Sequence, residues 1–106
     1  MSNTRQDDAC APKFPLGRLM STPGAIELLN ATQTSPLALL RLHVSGRWGQ
    51  LCEEDKAAND EAVETGARIL SAYELPLNAK GGSVTRIWVI TEADKSATTL
   101  LLPEEY

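Results

Sequence analysis

Residues 50–66, QLCEEDKAANDEAVETG, are the most informative stretch of the sequence. At about 100° per residue, its apolar side chains fall on one arc and most of its acidic ones on the other, which is typical of an amphipathic helix. The inner arc contains Leu51, Cys52, Asp55, Ala58, Asn59, Ala62, Val63 and Gly66. The outer arc contains Glu53, Glu54, Asp60, Glu61 and Glu64. We therefore predict a helix with a carboxylate-rich outer face, whose inner face is interrupted by Asp55 and Asn59.

After this helix the periodicity of the apolar residues changes from 3.6 to two. Residues 69–75 alternate in character up to Pro76, and residues 84–91, VTRIWVIT, are rich in β-branched and aromatic side chains. A third apolar run, residues 98–102, stops at Pro103. Because only short polar turns, one of them containing Gly81-Gly82, separate these runs, we predict a three-stranded antiparallel meander. Its middle strand, 84–91, is expected to be covered on both faces.

Two helix-start signals precede this region. Thr22-Pro23 and Ser35-Pro36 each combine a capping residue with proline at the first helical position. They predict one helix that ends near Thr32 and a second over residues 37–44, for which a strand is the competing interpretation. Residues 1–16 are polar and aperiodic, so we predict a flexible N-terminal arm followed by one domain, 17–106. The fold class is then α+β, with N-terminal helices packed on a C-terminal meander.

Length and charge exclude several classes of function. The chain has 106 residues, which is the length of one domain. Its net charge of −4 disfavours direct binding to nucleic-acid phosphates. It contains no apolar run long enough to cross a membrane and no signal-peptide pattern. One histidine and two distant cysteines provide no metal-ligand set, and no glycine pattern matches a phosphate or dinucleotide cradle. We expect a cytoplasmic protein without metal or cofactor.

Asp55 and Asn59 are the sharpest local feature, because polar side chains on an inner helical face need a partner. We interpret both as structural polar anchors. Asp55 would accept hydrogen bonds from the amides of residues 46–49 or from the Trp48 indole N–H. The alternative is a general base with an amide partner.

The acidic outer arc predicts a contact surface for a partner. Five carboxylates over about three turns repel one another, and a basic partner surface would relieve that repulsion. The loop residues Arg47 and Trp48 have the composition of an interface hot spot and are added to this predicted surface. The partner would be a protein or a ribonucleoprotein with a basic surface.

A catalytic alternative gives a different role to four residues. His43, Arg47, Asp55 and Arg68 would form the site of a small toxin-type ribonuclease, with His43 as the group that titrates near neutrality. The acidic charge of the chain counts against this alternative. A third alternative is a structural protein that functions only as a homo-oligomer.

The chain also resembles a family of small uncharacterised proteins carried on plasmids and integrative elements of Gram-negative bacteria. The resemblance covers about residues 36–106 and rests on HVSGRWG at 43–49, IWVITEAD at 87–94 and LLPEEY at 101–106, together with Leu51, Asp55, Asn59 and Thr98-Thr99. Members are often labelled plasmid-related or type I restriction subunits. The restriction label gains no support from the sequence, because the chain has neither the glycine-rich cofactor loop nor the Asn/Asp-Pro-Pro-aromatic motif that a methyltransferase needs.

The resemblance implies a mobile-element accessory protein and transfers no catalytic residue. With the acidic helix, it leads us to expect a non-enzymatic protein that binds another macromolecule and inhibits or modulates a host defence system.

Overall fold

The computed structural model describes residues 12–78 and 83–106. Its elements follow one another as β1 (Arg18–Ser21), α1 (Pro23–Thr32), α2 (Pro36–Val44), α3 (Glu53–Thr65), β2 (Ile69–Asn78), β3 (Ser83–Thr91), β4 (Ala97–Leu101) and a 3₁₀ turn (Pro103–Glu105). This order confirms the α+β class, the helix within 50–66 and the switch to strands after Gly66. The turn predicted around Gly81-Gly82 lies outside the described residues.

The predicted helix starts are confirmed. The Thr22 hydroxyl accepts a hydrogen bond from the Ala25 amide at 3.2 Å, and Pro23 occupies the first turn of α1. Pro36 occupies the same position in α2, which settles residues 37–44 as helix rather than strand. Both prolines lie where a helix has no partner for a backbone N–H, so they stabilise the start at no cost in hydrogen bonds.

The sheet is mixed and four-stranded, in the order β1-β4-β3-β2. The three C-terminal strands are antiparallel neighbours, as predicted, but β1 pairs in parallel with β4, Arg18 opposite Ala97. The prediction of a three-stranded sheet with only helices before it is therefore wrong. β1 has only four residues, so its pairing depends on a partner almost eighty positions away rather than on a local pattern.

All three helices pack on one face of the sheet. The larger apolar cluster combines Leu28 and Leu29 of α1 and Leu39 and Leu40 of α2 with the strand residues Tyr73, Leu75, Ile87, Val89 and Leu100. A smaller cluster contains Phe14, Val44, Trp48, Ala62 and Ile69. On the opposite face, Tyr106 packs edge-on against the half-buried Trp88, with ring centroids 5.6 Å apart. The second face of β3 is thus covered by side chains rather than by a helical layer.

The residues just before β1 contact the domain. Phe14 is buried, and the Lys13 amide donates to the Val44 carbonyl at 2.7 Å. Phe14 and Leu16, which the prediction assigned to the arm, therefore pack on the core, while residues 1–11 lie outside the described part of the chain.

Candidate functional site

Helix α3 carries more carboxylates than any other helix or strand described. Six of its thirteen residues are carboxylates, all of them exposed, namely Glu53, Glu54, Asp55, Asp60, Glu61 and Glu64. Lys56 is the only cation of the helix, and its amine lies 3.7 Å from the Glu53 carboxylate. An exposed pair at that distance neutralises little of the charge.

Asn59 attaches α3 to the edge of the sheet. Its amide nitrogen donates to the Leu70 carbonyl at 2.6 Å, and its amide oxygen accepts from the Leu70 N–H at 3.2 Å. The side chain thus makes the two hydrogen bonds that a neighbouring strand would make to β2. Asn59 is buried, and it holds the position that we predicted for a structural anchor.

The structure places Asp55 differently from the prediction. Only Asn59 and Ala62 are buried in α3, so the first turn does not pack against the core and Asp55 is exposed. The Trp48 indole N–H, one of the donors predicted for Asp55, instead donates to the Asp60 carboxylate at 3.1 Å. The prediction placed an inward-facing surface along the whole helix, whereas only the second half of α3 packs against the sheet.

His43 belongs to a chain of buried hydrogen bonds that crosses the domain. Its Nδ1 lies 2.6 Å from the Ser71 hydroxyl, and its Nε2 lies 2.9 Å from the Thr91 hydroxyl. The Thr91 hydroxyl lies 2.7 Å from that of Thr98, which donates to the Leu16 carbonyl at 2.7 Å.

The last bond of this chain determines the direction of the others. Because Thr98 donates its proton to a carbonyl, its oxygen accepts from Thr91, and the oxygen of Thr91 accepts from His43 Nε2–H. Burial lowers the pKa of His43 to about 4, so the imidazole is neutral near pH 7 and its Nδ1 accepts a hydrogen bond from the Ser71 hydroxyl.

The four residues of the ribonuclease alternative do not form a site. His43 has 0% of its surface exposed, whereas Arg47, Asp55 and Arg68 are exposed. The guanidinium of Arg68 lies over the Tyr106 ring, 5.5 Å from its centroid. A general base must reach the proton that it removes, and His43 reaches only hydroxyl groups of the core.

Trp48 is also removed from the predicted contact surface. It is 4% exposed, and its ring stacks near Phe14 with centroids 6.3 Å apart. Its indole N–H already has a partner in Asp60. Its neighbour Arg47 is exposed.

Sequence reasoning missed the hydroxyl partners of His43. The missed residues are Ser71, Thr91 and Thr98, which are all fully buried. Ser71 lies between Ile69 and Tyr73 in the alternation of β2, so a polar residue at a core position was the available signal.

Within residues 12–78 and 83–106, no cluster of three or more His, Cys, Asp or Glu side chains could hold a metal ion. None of the helices described is long and apolar enough to span a bilayer. No protein-family model, curated protein or solved structure matches the chain.

Proposed function

We propose that this protein acts without catalysis, by binding another macromolecule through the acidic face of α3, defined as Glu53, Glu54, Asp60, Glu61 and Glu64. The observation that carries the proposal is that these carboxylates are exposed on a helix that has a single lysine. Asn59 and Ala62 hold the other side of the same helix against the sheet. The charged face is therefore presented on a rigid element.

Helix stability explains only part of this charge. Acidic residues in a first turn interact favourably with the positive end of the helix dipole, which accounts for Glu53 and Glu54. Glu61 and Glu64 lie toward the opposite end, where carboxylates are unfavourable and where α3 has no basic residue. Asp60 and Glu64 also repel each other at a spacing of four residues. A cationic partner would remove both penalties.

The class of partner follows from the charge. Proteins and ribonucleoproteins that bind nucleic acid present arginine- and lysine-rich surfaces, and an acidic helix is complementary to them. With the resemblance to mobile-element proteins, this makes the nucleic-acid-binding surface of a host defence complex the proposed target. The protein would inhibit or modulate that complex by occupying the surface.

A charge-reversal variant tests the proposal. The protein carrying Glu53→Lys, Glu61→Lys and Glu64→Lys is compared with the parent in affinity capture from bacterial host lysate at low and at high salt. We expect the captured partner to be lost from the variant, and to be lost from the parent at high salt because exposed charge pairs are screened. The three changes should alter the free energy of unfolding by less than about half a kcal/mol per site.

A matched control carries the same change in charge elsewhere. Glu27, Glu92 and Glu104 are exposed and lie outside α3, so replacing all three with lysine reproduces the change in net charge. Capture that survives in this control and fails in the α3 variant supports the proposal. Capture that survives the α3 variant and added salt places the interface elsewhere.

A further inference from the structure

The two edge strands of the sheet differ in whether their outward-facing backbone groups have hydrogen-bond partners. At the β2 edge, Asn59 occupies both backbone groups of Leu70, and the next outward-facing residue, Ala72, is also paired. Its N–H donates to the Trp48 carbonyl at 3.1 Å, and its carbonyl accepts from the Gln50 N–H at 2.6 Å. Pro76, farther along the same edge, has no N–H to offer. The edge is therefore closed to another strand at Leu70 and Ala72, and Pro76 weakens pairing farther along.

The β1 edge is open among the residues described. The Arg18 N–H donates to the Ser96 carbonyl, and the Thr22 N–H donates to the Leu100 carbonyl. The backbone N–H and carbonyl groups of the even-numbered residues therefore point toward β4. In a parallel ladder the backbone groups of the intervening residues, Leu19 and Ser21, then point away from the sheet. No described residue forms a hydrogen bond with them.

An apolar groove of about 840 Å³ adjoins this open strand. It lies between α2 and the segment that leads into β1, and its walls include Phe14, Leu19, Leu37 and Leu40. Leu37 is 65% exposed and Leu19 is 49% exposed, which are large values for leucines of a small domain. The volume is in the range of ligand-binding clefts.

The charges of the groove distinguish it from the rest of this acidic protein. Lys13 and Arg41 line it, and no carboxylate does so among the described residues. Arg18 is exposed on β1 but does not line the groove, because side chains alternate along the strand and Leu19 does line it. A cationic rim around an apolar floor is complementary to a ligand that is both apolar and acidic.

We propose that the open edge of β1 and this groove bind an extended peptide with apolar and acidic side chains, which adds a fifth strand to the sheet. The backbone of the peptide would pair with Leu19 and Ser21, and its apolar side chains would enter the groove. Its carboxylates would meet Lys13 and Arg41. A second copy of this chain is a poorer occupant, because a two-fold axis at β1 would bring the same cations of each copy together.

The probe is a short synthetic peptide with a central run of valines flanked on both sides by glutamates. Its binding to the full-length chain is measured by calorimetry, beside two control peptides. One has lysines in place of the glutamates, and the other is N-methylated at alternate backbone positions. We expect binding only for the unmodified acidic peptide, since the first control loses charge complementarity and the second loses the backbone donors that strand addition uses.

Variants of the protein test the two parts of the site. Ser21→Pro removes an outward N–H and should abolish binding, whereas Ser21→Ala keeps that N–H and should bind normally. Joint replacement of Lys13 and Arg41 with glutamine should weaken binding about tenfold. Arg86→Gln, at an exposed arginine of β3 paired with Glu74, should leave binding unchanged.

If Ser21→Pro does not fold, hydrogen exchange of the unaltered protein still tests whether the peptide pairs with β1. The Leu19 and Ser21 amides should exchange several-fold more slowly when the peptide is bound. Failure of the full-length chain to bind the acidic peptide overturns the proposal, as does equal binding of the N-methylated peptide. A concentration-dependent dimer that the peptide does not dissociate would show that a second copy occupies the edge. None of these outcomes involves the acidic face of α3.

Discussion

His43 shows how one buried side chain ties the stability of the domain to pH. It contacts Ser71 on β2 and Thr91 on β3, and through Thr98 the same chain of hydrogen bonds reaches β4 and Leu16. Burial disfavours the charged form of the imidazole, so the ring is neutral in the folded protein near pH 7. Unfolding exposes it to water, where it takes up a proton near pH 6.5.

We expect the protein to lose stability as the pH falls from 6.5 to about 4. The folded state lowers the pKa of His43 from 6.5 to about 4, so the unfolded state binds more protons in this window. The contribution is fully present above pH 6.5, and about 3 kcal/mol of it is lost by pH 4. Urea unfolding across this range measures it. His43→Gln, which retains a donor and an acceptor, should show a smaller slope, and an equal slope would contradict the assignment.

Asn59 and Asp55, one helical turn apart, have opposite importance for stability. Asn59→Ala leaves the backbone N–H and carbonyl of Leu70 without partners and should cost about 1–3 kcal/mol. Asp55→Ala removes an exposed side chain and should change stability by less than about half a kcal/mol. Urea unfolding of both variants provides the comparison. Similar losses for the two variants would mean that the buried amide is not the anchor.

At the scale of elements, the loop between α2 and α3 acts as part of the sheet edge. Gly49 forms an isolated bridge to Ala72, with a positive φ of 81°. A Cβ atom at this position would overlap the Ala72 carbonyl oxygen. The close approach of the loop to β2 therefore requires glycine for two reasons, conformation and space.

A matched pair of glycine substitutions separates these two reasons. Gly66 ends α3 with a φ of 86°, but a Cβ there has no atom within 4 Å. Gly66→Ala should therefore cost about 1 kcal/mol through backbone conformation alone. Gly49→Ala should cost clearly more, because the loop must also move away from β2. Thermal unfolding measures both, and equal shifts in Tm would indicate that the loop moves without penalty.

At the scale of the whole molecule, the two apolar clusters are joined rather than separate. Leu16 packs against both of them, and the hydrogen bonds of His43 connect α2 to three strands. Neither cluster can therefore open without disturbing the other. Such coupling predicts a single cooperative transition, as is usual for domains of this size.

The two tryptophans provide a test of this cooperativity. Trp48 is buried in the smaller cluster and Trp88 lies on the opposite face of the sheet, so fluorescence reports on both sides. We expect the fluorescence transition in urea to coincide with the loss of far-UV circular dichroism. Trp48→Phe, which leaves Trp88 as the only reporter, should show the same coincidence. Separated midpoints would reveal an intermediate.

The elements that have a local cause could be predicted from the sequence. Proline after a capping residue marked the starts of α1 and α2, and the 3.6-residue period marked α3. Alternation marked β2, β-branched and aromatic residues marked β3, and an apolar run that stops at Pro103 marked β4, with short turns between them. Each of these signals acts between residues that are near neighbours in the chain, so each can be recognised without the fold.

Features that depend on contacts between distant residues are visible only in the folded structure. β1 exists because its four residues pair with β4. The Trp48 indole N–H donates to Asp60 and not to Asp55, because only part of α3 packs against the sheet. Burial of His43 and Trp48 removed both from the predicted functional surfaces. The open β1 edge and its groove likewise arise where residues 12–21 meet α2. Periodicity identifies which side of an element is apolar, but only packing decides how much of that side is covered.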